Sequence, residues 1–246
     1  MQIGSELAMG AFLEIDGLGA GYGRTRVLEG VSLAVGEGAR VCVLGGNGSG
    51  KSTLLKAIVG LVQNWSGEIR LAGKRLDGTP AHQRFHAGIA YVPQDRKLFR
   101  QKSVFQNLEL GCLSKNYGGE EFKHVLHRVL DTLPLLRERL DAPAGLLSGG
   151  EQQIVAIGRS LMSQPRLLLL DEPSAGLSPI WLQSVGETLR SVVDQFSLTM
   201  VLVEQKVDFG FDLTQRAYVI RNGVVMLEGA SSELKDDPVL LRSYLG

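Results

Sequence analysis

The sequence predicts an α/β fold, a mostly parallel sheet with helices and one helical insertion. Three observations predict it. The apolar run Val41-Cys42-Val43-Leu44 leads into Gly45-Gly46-Asn47-Gly48-Ser49-Gly50-Lys51-Ser52-Thr53, after which Leu54, Leu55, Ile58 and Val59 recur at helical spacing. That is strand, loop, helix. Leu167-Leu168-Leu169-Leu170 is a second continuous apolar run, the pattern of a strand buried on both faces of a parallel sheet. Between them, Phe122, Val125, Leu126, Val129, Leu130 and Leu133 mark an amphipathic helix in residues 95–147, broken at Pro134.

The flanking elements follow in order. Residues 12–35 read as β: Phe12, Leu13 and Ile15 open one strand, and Val31, Leu33 and Val35 alternate in a second. Gly21-Tyr22-Gly23 lies between them. An aromatic held by glycines can stack on a base or pack in a turn, and the residues alone favour the packed turn. Trp65-Ser66-Gly67 is expected to break the pattern before a strand at Glu68-Ile69-Arg70-Leu71. Ile89-Ala90-Tyr91-Val92 is a short strand ending at Pro93-Gln94, where a polar linker starts. Leu98, Phe99, Val104 and Phe105 are clustered apolar residues, either core or a docking patch for a partner. Ser148 and Glu151 have capping-box spacing, and Ile154, Val155, Leu161 and Met162 give the next helix an apolar face that Pro165 ends. Ser178-Pro179 opens another helix, and residues 198–203 form a strand closed by Glu204-Gln205. Arg221-Asn222-Gly223 joins strands at 217–220 and 224–227 in a hairpin, and a short helix is expected around 238–244.

The glycine-rich stretch matches the P-loop pattern G-x-x-x-x-G-K-[ST] in its required context. Its glycines let backbone N–H groups face phosphates, and the helix starting near Lys51 adds its positive end. The Lys51 ammonium can reach β- and γ-phosphates, and the Ser52 hydroxyl can ligate Mg²⁺. Asp171 and Glu172, two acids at the end of a buried strand, are costly without a task. Asp171 suits a Mg²⁺ ligand, and Glu172 suits a base for an attacking water. Gln94 can touch Mg²⁺ or water, or be a surface amide. Ser148-Gly149-Gly150 is a capped helix start, or a second anion site with close glycine approach.

Composition narrows the functional classes. Lys+Arg and Asp+Glu number 26 each in the 246 residues, so no basic field draws nucleic acid. No stretch approaches the roughly 18–20 apolar residues of a membrane span. Residues 1–10 lack a basic region followed by an apolar run, so no signal peptide is expected. Two cysteines, Cys42 and Cys112, suit a reduced cytosolic protein without a disulfide. His82, His86, His124 and His127 are expected to face solvent, without a metal cluster.

Taken in order, the P-loop, Gln94, Leu147-Ser148-Gly149-Gly150-Glu151-Gln152 and the leucine run with Asp171-Glu172 resemble the ATP-binding cassette of ABC transporters. The resemblance runs from about Phe12 to the end. It implies a single domain: a P-loop NTPase core at about 12–94 and 154–230, with a mostly parallel sheet and an N-terminal antiparallel β subdomain. It also implies a helical subdomain at about 95–153 and a short C-terminal helix within 231–246. Tyr22 would stack on adenine. Gly45, Asn47, Gly48, Ser49, Gly50, Lys51, Ser52 and Thr53 would hold ATP, with Mg²⁺ on Ser52, Gln94 and Asp171. Glu172 would be the catalytic base, with Gln94 and Gln205 beside the γ-phosphate. Ser148, Gly149 and Gly150 would contact the γ-phosphate bound by another subunit, and residues 174–178 would lie across that interface.

Gly21-Tyr22-Gly23, residues 148–159 and 173–179, and Leu202-Val203-Glu204-Gln205 are similar to importer ATPases for branched-chain amino acids, or for urea and amides. Gln205 replaces the general family's switch histidine, as is common in that group. Gln can hydrogen-bond a γ-phosphate but cannot carry a proton. Gln94 stands where that group also uses Glu. This resemblance implies permease partners, a head-to-tail dimer with the same or a paralogous ATPase, a periplasmic solute-binding protein, and a peripheral place on the cytoplasmic membrane face. An export or lipid-extraction ATPase is the alternative. A cassette acting on DNA or ribosomes is disfavoured, because neither a heptad run nor a second P-loop is present.

Overall fold

The alternation read in residues 12–35 becomes two paired strands. A computed structural model describes residues 10–113, 115–235, 237 and 240. In chain order the elements are β1 (Leu13–Tyr22), β2 (Thr25–Val35), β3 (Arg40–Leu44), α1 (Lys51–Ile58), β4 (Gln63–Leu71), β5 (Lys74–Arg75) and α2 (Ala81–His86). Then come β6 (Ile89–Val92), α3 (Val104–Leu110), α4 (Gly119–Thr132), α5 (Pro134–Glu138), a 3₁₀ turn (Ala144–Leu146) and α6 (Gly149–Leu161). The last are β7 (Leu167–Asp171), α7 (Pro179–Phe196), β8 (Thr199–Glu204), α8 (Val207–Leu213), β9 (Arg216–Arg221), β10 (Val224–Ala230) and α9 (Ser231–Leu234). The helix expected around 238–244 lies almost wholly outside the described residues. The chain divides into two compact units, one running to Phe85 and resuming at Thr199, the other spanning His86–Leu198.

In the first unit, β2-β1-β4-β5 form an antiparallel sheet. β3 lies parallel between β8 and β9, and β10 returns antiparallel on β9. This is the mixed α/β arrangement expected. Val41, Cys42, Val43 and Leu44 are all buried, as their run requires. On α1, Leu54, Leu55 and Ile58 are fully buried, each worth roughly 2 kcal/mol. That burial anchors the helix, so its first turn is a fixed point. Arg84 of α2 is buried too, and donates to the Ala57 and Ile58 carbonyls at the other end of α1, both at 2.9 Å. Asn222 and Gly223 are both left-handed, at φ 50 and φ 80, as the Asn-Gly hairpin demands.

One strand boundary differs from expectation. Trp65-Ser66-Gly67 does not interrupt β4, which starts at Gln63. Gly67 is left-handed (φ 74), and the register with β1 shifts between Asp16 and Gly19. The irregularity absorbs extra residues while pairing continues.

In the second unit β6 and β7 pair in parallel, with Val92 opposite Leu170. Leu167, Leu168, Leu169 and Leu170 are fully buried. α4 buries Val125, Val129 and Leu130, and Pro134 opens α5. α6 stops at Leu161, before Pro165, and Gln164 is already left-handed (φ 48). Phe105 meets Phe122 edge-on, with ring centroids 6.2 Å apart. The clustered apolar residues separate: Val104 is fully buried, whereas Phe99 is 52% exposed.

All four histidines are exposed, and both cysteines are buried free thiols. Among the described residues no helix is long and apolar enough to cross a membrane.

Candidate active site

β3 delivers Gly45 at its carboxyl end, where the Gly45 N–H donates to the Glu204 carbonyl of β8 at 3.3 Å. A side chain at Gly45 would meet Ser49 Oγ at 2.4 Å and the Ile220 carbonyl at 2.6 Å, so only glycine fits. Gly50, left-handed at φ 108, is the N-cap of α1. It offers no side-chain cap, so the N-cap residue itself does not take up the N–H groups of the first turn. Among the described residues nothing lies within 4 Å of where a Cβ would stand at Gly46 or Gly48. Lys51 is 4% exposed, and its Nζ donates to the Gly45 and Gly46 carbonyls at 2.7 and 2.9 Å. A cation, a helix start and a glycine loop therefore surround one small volume, which is the chemistry of a phosphate cradle.

Two predicted residues sit elsewhere in the same unit. Tyr22 ends β1 and is 47% exposed, so it is not buried in a turn. The Lys56 ammonium lies 5.8 Å from its ring centroid. Gln205 is exposed just past β8, and its N–H donates to Glu204 Oε2 at 3.1 Å. Glu204 itself is 1% exposed, a buried acid read from the sequence only as a strand end. Burial pushes the Cys42 thiol well above its usual range, and the nearby Glu204 carboxylate adds to this.

The second unit holds the other candidates. Asp171 ends β7, and Tyr91 of neighbouring β6 donates to its Oδ2 at 2.9 Å. Glu172 is left-handed (φ 45), a conformation that turns the chain sharply off the strand. Gln94 Nε2 donates to Glu172 Oε2 at 3.1 Å, so the structure brings these two together. Ser148 makes the expected capping box: its Oγ accepts from the Glu151 N–H at 3.3 Å, and its own N–H donates to Glu151 Oε2 at 2.8 Å. Burial works to raise the Glu151 carboxyl, but the hydrogen bonds from Ser148 and Arg139 outweigh it and hold the group below its ordinary range. A side chain at Gly150 would lie 2.0 Å from the Trp181 ring, whereas among the described residues one at Gly149 would have only the Arg96 guanidinium nearby, at 3.7 Å.

Tyr91, Trp181 and Glu204 had no motif to mark them. Tyr91 had one usable signal, its place in the short strand that ends at Gln94.

The sequence model of the ABC transporter family matches residues 28–175, more than half of the chain. The chain belongs to that family. As an ABC transporter ATPase it binds and hydrolyses ATP. It is 39% identical to the high-affinity branched-chain amino acid transport ATP-binding protein BraG of Pseudomonas aeruginosa, covering 95% of this chain and 99% of that one. The lipopolysaccharide export system ATP-binding protein LptB of Acidithiobacillus ferridurans is 33% identical, over 97% and 98%. Among solved structures, the ADP conformation of the ATP-binding cassette MJ1267 superposes with a TM-score of 0.84 at 28% identity, covering 96% of this chain and 99% of that one. These alignments span the ABC ATPase from end to end, so the fold read from β3, the P-loop and β7 is that of the family.

Proposed function

We propose that this ATPase powers an importer for branched-chain amino acids or a related small polar solute. The observation that carries the reading is the 39% identity to BraG across nearly all of both chains. Gln205 in place of a switch histidine supports it. The partners are permease subunits, a second ATPase subunit (identical or paralogous) docked head to tail, and a periplasmic solute-binding protein. The chain acts as a peripheral subunit at the cytoplasmic face.

In this reading Tyr22 stacks on adenine. Gly45, Asn47, Gly48, Ser49, Gly50 and Thr53 line the phosphates, and Lys51 leaves the loop carbonyls to meet the β- and γ-oxygens. Ser52, Asp171 and Gln94 offer a hydroxyl, a carboxylate and an amide oxygen, a hard donor set that fits Mg²⁺. Bound Mg²⁺ supplies charge neutralisation on the phosphate oxygens. Glu172 accepts the proton of the attacking water, and Gln94 and Gln205 orient groups around it. Ser148, Gly149 and Gly150 present the start of α6 to the γ-phosphate held by the other subunit.

The 33% identity to LptB favours a second reading, an ATPase for export or lipid extraction. Purification of the tagged chain from membranes separates the two. Import is expected to yield co-purified permeases, with ATP turnover by the complex rising when solute-loaded binding protein is added. Co-purified lipid-export subunits, and no response to amino acids, would overturn it.

A further inference from the structure

Gln94 is presented by a tight turn. The Arg96 N–H donates to the Pro93 carbonyl at 2.9 Å, so Gln94 is the second residue of that turn. The two residues that leave it, Arg96 and Lys97, are both left-handed, at φ 62 and φ 48. Side chains with a Cβ disfavour that conformation, and two in succession require an outside restraint.

Arg159, on α6, supplies the restraint. One terminal nitrogen donates to the Lys97 carbonyl at 2.7 Å and the other to the Arg96 carbonyl at 2.9 Å. A planar guanidinium gripping two successive carbonyls fixes the direction of both peptide groups, which a single-point donor cannot do. Among the described residues no carboxylate pairs with Arg159, and burial draws its pKa below the usual arginine range. Its stem is confined as well: a side chain at Gly111 would lie 2.0 Å from the Arg159 carbonyl and 3.0 Å from its Cγ. A second contact reinforces the first, because Arg96 Nε donates to Gln153 Oε1 of the same helix at 3.0 Å. Gln153 and Arg159 are six residues apart, about 9 Å along the helix axis. The Gln94 turn is thus held at two points along the helix that opens at Ser148.

We infer that Arg159 is a positioning residue for Gln94, fixing the turn that offers the Gln94 amide to Glu172 and tying that turn to the helix that begins at Ser148. The inference rests on the reading above that Gln94 acts in hydrolysis.

A double-mutant cycle on ATP turnover by the assembled transporter tests it, with Gln94→Ala, Arg159→Met and both together. Methionine keeps the stem and removes the donors. Arg159→Met is expected to lower kcat roughly 10- to 100-fold, the effect of a misplaced group, with KM for ATP unchanged. The double variant is expected to be no slower than Gln94→Ala alone, because Arg159 acts through Gln94. Arg159→Lys, which reaches one carbonyl, should recover part of the loss. It replaces Arg159→Met in the cycle if that variant does not fold. Wild-type kcat in Arg159→Met, or losses that multiply in the double variant, would overturn the inference while leaving Gln94's role intact. Wild-type kcat in Gln94→Ala would instead remove the role of Gln94, and the inference with it.

Discussion

The Gln94 side chain donates to the Glu172 carboxylate across 3.1 Å, although the two residues lie 78 positions apart. Each stands just past the end of a strand, and β6 and β7 are neighbours in register, with Val92 opposite Leu170. The parallel pair therefore brings an amide and a left-handed acid to one edge. In open α/β sheets that carboxyl edge is where ligands sit.

Glu172→Gln tests that edge directly. The substitution keeps shape and hydrogen bonding but removes basicity. Turnover is expected to fall by roughly 10²-fold or more, the size of a general-base contribution. ATP binding should persist, because Lys51 and the loop amides are untouched. With Mg-ATP the variant, alone or with its paralogue, should elute as a dimer in size-exclusion chromatography, and Ser148→Arg in the same chain should abolish that dimer. Wild-type turnover would remove Glu172 as the base.

Lys51→Ala should abolish tight ATP binding, measured by calorimetry. The buried ammonium holds the Gly45 and Gly46 carbonyls, so a loop that loses it is also less ordered. A melting temperature lowered by only a few degrees is therefore expected, from about 1 kcal/mol of lost hydrogen bonding. A folded variant with wild-type ATP affinity would contradict the P-loop reading.

Phe99→Asp should uncouple hydrolysis from the permease and leave the fold intact. The sequence left Phe99 open between core and patch, and its 52% exposure makes it surface. Its backbone is held independently of the ring, because Asn107 accepts from the Phe99 N–H at 3.0 Å and donates to its carbonyl at 3.1 Å. The expected stability change is within about 0.5 kcal/mol. Permease stimulation should be lost while basal turnover remains. A collapsed melting transition would return Phe99 to the core.

Acid should weaken the start of α6. The Glu151 carboxyl is held below its ordinary range in the folded chain, despite burial, by Ser148 and Arg139. Its stabilisation is therefore complete above the ordinary glutamate pKa, about 4.3, and is lost as pH falls through the lower folded value. Melting temperatures of the wild type and Glu151→Gln should differ at neutral pH and converge toward pH 3. A constant difference across that range would show that the Glu151 charge contributes nothing.

Local chemistry was legible wherever a motif is contiguous. The P-loop, the Ser148–Glu151 capping box, Pro179 after Ser178 and the Asn222-Gly223 turn all appear as read, because each is decided by residues within a few positions of one another. The break expected at Trp65-Ser66-Gly67 did not appear, because pairing with β1 carries β4 through the glycine. For Tyr22 the local residues favour a packed turn, whereas the residue stays half-exposed at the end of β1, which nothing local indicates.

By itself the sequence determined the strand–loop–helix of the P-loop, the buried leucine strand with two acids at its end, and the capped start of α6. Periodicity, backbone restriction and helix capping act over a few residues, so no distant partner is needed to specify them. Only the tertiary structure decided that Tyr91 reaches Asp171, that Gln94 meets Glu172, that Trp181 excludes any side chain at position 150, and that Arg159 grips Arg96 and Lys97. These are hydrogen bonds and close contacts between residues 31 to 80 positions apart. They depend on strand order and helix packing, and no local pattern encodes which surface a side chain will meet once the chain has closed on itself.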